Sequence, residues 1–80
     1  MRHVNLSRRE INLLEDVCFT KLLTIDNVAI IEKDSDINVV IRNITTKLLT
    51  LGKESPYYAE LKSILEKFVK LRDIVFKRWK

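Results

Sequence analysis

Eighty residues with 46 % hydrophobic and 32 % charged side chains have the composition of one small globular domain, and exclude a disordered or low-complexity chain. The longest apolar run is VAII, residues 28–31, too short for a membrane span, and a lone cysteine, Cys18, excludes an internal disulfide. The net charge is +4, and the opening MRHVNLSRRE has positive charge without an apolar segment behind it, so no secretory signal is expected and a cytoplasmic protein is the reading.

The first helix signal is SRRE. Ser7 and Glu10 stand at capping-box spacing, and Ile11, Leu14, Cys18, Leu22 and Ile25 follow at helical intervals. This predicts a helix over about 7–30. Cys18 on that face reads as a small buried apolar residue. Residues 26–42, DNVAIIEKDSDINVVIR, are ambiguous. VAII and INVVI are β-branched around a polar EKDSD, so a β-hairpin competes with helix there. Helix is preferred for two reasons. Asp34, Ser35 and Asp36 are good caps, and a two-stranded hairpin without a third strand is marginal.

A second helix over 36–51 follows from Ile37, Val40, Ile41, Ile44, Leu48 and Leu51. The only glycine and the only proline then fall together, in LGKESPYYAE, residues 51–60. Gly52 can close one helix with a positive φ, while Ser55 caps and Pro56 opens the next. The third helix, over 56–79, carries Leu61, Ile64, Phe68, Leu71 and Val75 along a seam, with Glu66–Lys70 and Asp73–Lys77 as acid-before-base pairs outside it. The expected fold is all-α, a three-helix up-down-up bundle in one domain over 1–80, with helix, β-hairpin, helix as the alternative.

Chemistry-bearing residues are sparse. His3 is the only histidine, in an N-terminus expected to fray, and has no cysteine or histidine at ligand spacing. One glycine cannot build a phosphate-cradling loop. Glu15 and Asp16 are adjacent, so on a helix they point about 100° apart and read as a solvated face. No enzyme, metal or cofactor is expected.

Charge and surplus apolar residues point to a binding protein. Residues 1–9 carry +3, residues 10–36 carry −5, residues 37–66 carry +1 and residues 67–80 carry +5. In a bundle the basic C-terminal end would lie against the acidic corner of Asp26, Glu32, Asp34 and Asp36, with Arg2, Arg8 and Arg9 at the far end. Arg8 and Arg9 occupy a first helical turn, where the dipole disfavours cations, which suits an outside partner. Phe19, Leu23 and Ile30 lie off the core stripe of the first helix, and Phe76 and Trp79, near Arg72 and Arg78, widen the arc of the third. These nine residues form the expected partner interface, with a symmetric dimer as the expected form.

LSRREINLL, residues 6–14, resembles the opening of LuxR-type helix-turn-helix domains, although VCFTKLLTIDNVAII follows without that family's small-residue turn. In size and texture the chain is similar to short helical accessory proteins of phages and mobile elements. That similarity implies a modulator of a host or defence protein and designates no site residues. The functional expectation is a non-enzymatic protein-binding module that self-associates without membrane contact; the alternative is a small DNA-binding regulator using its basic ends.

Overall fold

The computed structural model describes residues 2–76. It is α+β: three helices pack on one face of a three-stranded antiparallel sheet. The elements run β1 (Arg2–Asn5), α1 (Arg8–Asp16), β2 (Leu23–Ile25), β3 (Val28–Ile31), α2 (Asp34–Leu51) and α3 (Tyr58–Val75). The expectation of an all-α, up-down-up bundle is therefore wrong, and so is the hairpin alternative, because INVVI belongs to α2.

The first helix starts where its cap predicts. Glu10 N–H donates to Ser7 Oγ at 3.1 Å, and Ser7 N–H donates back to Glu10 Oε1 at 2.9 Å. It stops at Asp16 rather than near residue 30. Cys18 N–H reaches back to Leu13 O at 3.2 Å and Thr20 N–H to Leu14 O at 2.8 Å, with Phe19 between them at φ 54. That left-handed residue turns the chain out of the helix. Thr20, buried, then accepts a hydrogen bond from Asn43 Nδ2 at 3.0 Å, which pins the loop to α2.

The hairpin of β2 and β3 closes through Asp26 and Asn27, at φ 52 and 64. Positive φ at both central residues is the two-residue turn whose twist matches its strands, and Asp and Asn tolerate it. The third strand, which the sequence reading lacked, is the N-terminus. Arg2, His3, Val4 and Asn5 pair with Ile31, Ile30, Ala29 and Val28, so the strand order is β1-β3-β2. The stretch expected to fray is an edge strand.

The helical hairpin closely follows its pattern. Ile37, Val40, Ile44 and Leu48 of α2 meet Leu61, Ile64 and Phe68 of α3 in a core that also holds Val4, Leu6, Ile11, Leu13, Leu14, Cys18, Ala29 and Ile31. Gly52 ends α2 at φ 77 and ψ 168, outside the left-handed helical well and in a region open essentially to glycine alone. Pro56 stands two residues before α3 instead of inside its first turn. Ser55 Oγ accepts from Tyr57 N–H at 3.2 Å, stabilising the connecting turn rather than capping the helix.

Candidate functional site

Successive strand residues point to opposite faces of a sheet. Register therefore places Val4, Ala29, Ile31 and Thr24 on the face covered by helices, and His3, Asn5, Leu23, Ile25, Val28 and Ile30 on the other. A one-sided antiparallel sheet normally shows polar residues outward. Here four aliphatic side chains fill the open face, as the cross-strand pairs Leu23–Ile30 and Ile25–Val28. Leu23 and Ile25 are each 57 % exposed, while Val28 and Ile30, flanked on both sides, are partly covered. Contiguous exposed apolar patches are uncommon on monomeric proteins.

Leu23 and Ile30, expected on one helix face, are in fact directly paired across the sheet. Ile25 and Val28 belong beside them and were missed. Asp-Asn between the alternating LTI and VAII was the signal that could have found all four.

The other expected interface residues do not join this patch. Phe19, 81 % exposed, sits beside α2 with Lys47 Nζ 5.6 Å from its ring centroid. Arg9 is occupied internally: its Nε and Nη2 donate to the two carboxylate oxygens of Glu60 at 2.6 and 2.9 Å. Those hydrogen bonds and the attendant charge lower the Glu60 pKa and raise that of Arg9. Arg8 is exposed, and the two arginines border a shallow groove of about 390 Å³ with Asn12, Asp16 and Tyr57. Arg72 lies 3.9 Å from its neighbour Asp73, and Phe76 is half-buried at the end of α3. Arg78 and Trp79 lie outside the described residues, as do Lys77 and Lys80 of the basic end. The acidic corner is instead met by Arg2, whose Nε is 3.3 Å from Asp34 Oδ1, so Arg2 is not at the far end of the molecule from it.

Among the described residues no cluster of three His, Cys, Asp or Glu side chains could hold a metal ion, and no helix is long and apolar enough to cross a membrane. Burial pushes the Cys18 thiol pKa up, against a smaller downward pull from Lys47, which leaves it a poor nucleophile. His3 stands on the open sheet face opposite Ile30. The LuxR-type likeness of residues 6–14 does not continue into a second helix, since α1 is followed by β2 and β3. No family model matches the chain, and no curated protein and no solved structure is significantly similar to it.

Proposed function

We propose that this chain is a small non-enzymatic protein-binding module that associates with a second copy of itself through the apolar part of its sheet. The observation that carries this reading is the aliphatic patch of Leu23, Ile25, Val28 and Ile30 on a face that, among the described residues, no helix covers. Solvating such a patch is unfavourable by roughly 25 cal/mol for each Å² of apolar surface, and whatever part of it an assembly covers recovers that. If the protein is an accessory factor of a phage or mobile element, as its texture suggests, the assembled module would modulate a host or defence protein.

Sedimentation equilibrium tests the reading. A concentration-dependent dimer below about 100 micromolar is expected, a range ordinary for a modest interface. Paired Leu23→Lys and Ile25→Lys substitutions should leave a folded monomer. A wild-type chain that stays monomeric at that concentration overturns the proposal.

The DNA-binding alternative draws less support, because Arg2, Arg9 and Lys67 each face a carboxylate of Asp34, Glu60 or Glu10. Duplex binding, if any, should be weak and gone by about 200 mM salt, as a few phosphate contacts dictate. Sub-micromolar binding of a random duplex at that salt would favour the alternative.

A further inference from the structure

The two edges of the sheet are unlike. The β1 edge presents Arg2, His3 and Asn5, all exposed, and a charged edge resists pairing with another chain. The β2 edge is Leu23-Thr24-Ile25, with no charge and no proline. Its backbone is also poised. In a two-residue hairpin the pair that closes the turn, Ile25–Val28, exchanges both ladder hydrogen bonds, and so does Leu23–Ile30 two residues on. Thr24 therefore turns its N–H and C=O away from β3, and among the described residues its backbone bonds to no other element.

Resting on the self-association proposed above, we infer that two copies join antiparallel through their β2 edges, with Thr24 on the two-fold axis. The result is one continuous sheet of six strands, three from each copy. The segment is self-complementary in that arrangement. Thr24 lies opposite Thr24 of the second copy, and the two exchange both backbone hydrogen bonds. Leu23 lies opposite Ile25 of the second copy, so the two most exposed side chains of the patch become cross-strand neighbours, as Leu23 and Ile30, and Ile25 and Val28, already are within one copy. Charge agrees. Lys21 and Asp26 flank the strand, both exposed, and antiparallel pairing sets Lys21 one residue from the position opposite Asp26 of the second copy. An isologous contact of this kind closes at two copies.

Cysteine pairing reads the register. In chains carrying Cys18→Ala, Leu23→Cys and Ile25→Cys are made separately, then mixed under mild oxidant. Residues directly opposite in a non-hydrogen-bonded pair lie about 4.5 Å apart at Cα, within disulfide range, whereas each cysteine is out of register with its own copy. The mixed disulfide should form at least ten times faster than either homodimer. Thr24→Pro removes an N–H that β3 does not use, so the monomer should keep its circular dichroism while its dimer dissociation constant rises at least tenfold. Should Thr24→Pro not fold, the disulfide register alone decides. A dimer without mixed-disulfide preference, or one untouched by a folded Thr24→Pro variant, overturns edge pairing while leaving self-association standing. A wild-type monomer overturns both.

Discussion

Residues 34–75 and residues 2–33 differ in how they handle apolar side chains and backbone strain. In the helical hairpin the buried positions recur every three or four residues and pair across two helices of 18 residues each. Of its exposed aliphatic residues, Val39 and Leu49 stand singly: their neighbours one turn away are Ser35, Asp36, Arg42 and Asn43 for the first, and Thr45, Thr46, Gly52 and Lys53 for the second. Ile74, 70 % exposed near the end of α3, has Lys70 and the partly buried Leu71 one turn before it. In the N-terminal half the exposed Leu23 and Ile25 lie side by side with Val28 and Ile30, and the three non-glycine residues with positive φ among the described residues fall between 19 and 27. One half is built for its own stability. The other accepts a less favourable backbone and an open apolar face, which is what the proposed self-association would use.

The largest expected effect separates the two halves directly. Phe68 is fully buried between the helices, so Phe68→Ala should cost about 3–5 kcal/mol, much of what an 80-residue domain possesses. Leu23→Ala, on a residue 57 % exposed, should cost under ~1 kcal/mol in the monomer. Urea melts of both variants below the dimerisation range check the contrast. Equal losses would mean that the sheet face is already covered within one chain.

A smaller effect is expected at the corner between α2 and α3. A Cβ at Gly52 would meet nothing within 4 Å, so any cost of substitution is conformational. Gly52→Val should lose about 1–3 kcal/mol, the range for a residue held in a glycine-only region. Gly52→Asn sharpens the point. Asn tolerates the left-handed helical well, but ψ 168 lies outside it, so Asn should be nearly as costly as Val. Rescue by Asn would mean that the helix closes in the ordinary left-handed way.

The hairpin was legible because each helix carries its own periodicity, and because breakers occur only at the corner between them. The caps at Ser7 and Glu10 were legible for the same reason: both partners lie within one turn. The sheet was not, because its evidence is spread over the chain. Val4 reads as a strand residue only once Ala29 is opposite it, and those two are 25 positions apart. The three-residue β2 is shorter than any periodicity can certify. The series Ile11, Leu14, Cys18, Leu22 and Ile25 has helical spacing across a boundary where the helix has already ended. The left-handed turn at Phe19, a residue type that resists it, broke the pattern without a glycine or proline to announce it. Of the candidate site, Leu23 and Ile30 were found for the wrong geometric reason, and Ile25 was assigned to the core.

Phe19 supplies a prediction of opposite sign. A left-handed non-glycine residue costs about 1–2 kcal/mol, and a cation held over an exposed ring returns roughly 0.5–1 kcal/mol. At 81 % exposure Phe19 gains little from burial to offset the rest. Phe19→Asn, which tolerates a positive φ without the extra chain entropy of glycine, should therefore raise monomer stability by roughly 0.5 kcal/mol. A thermal midpoint that falls instead would show that the Lys47–Phe19 contact outweighs the backbone, and would move Phe19 into the self-stabilising class with the hairpin.

Another small effect is expected where the two halves are joined. Lys67 Nζ, on α3, donates to Glu10 Oε1 at 2.8 Å and to Asn5 O at 3.3 Å, which ties β1 and α1 to the helical hairpin. Burial raises the Glu10 pKa, but the hydrogen bond from Lys67, those from Ser7 and the Lys67 charge together outweigh it and hold the carboxyl below its ordinary range. A carboxyl with a depressed folded-state pKa contributes stability above its unfolded value and loses it as pH falls through the folded one. The Glu10 contribution should thus be complete at neutral pH, begin to fade near the ordinary carboxylate pKa and be gone below the depressed one. Glu10→Gln keeps the shape but not the charge. It should cost about 0.5–1 kcal/mol at pH 7, as expected for a partly exposed ion pair within a capping box, and progressively less as the pH falls towards 3. Urea midpoints of both chains at the two pH values measure the difference. Glu60, which also loses its charge in acid, is present in both and cancels. A gap between the variants that persists undiminished at pH 3 would mean that packing, rather than the Glu10–Lys67 charge pair, holds α1 against α3.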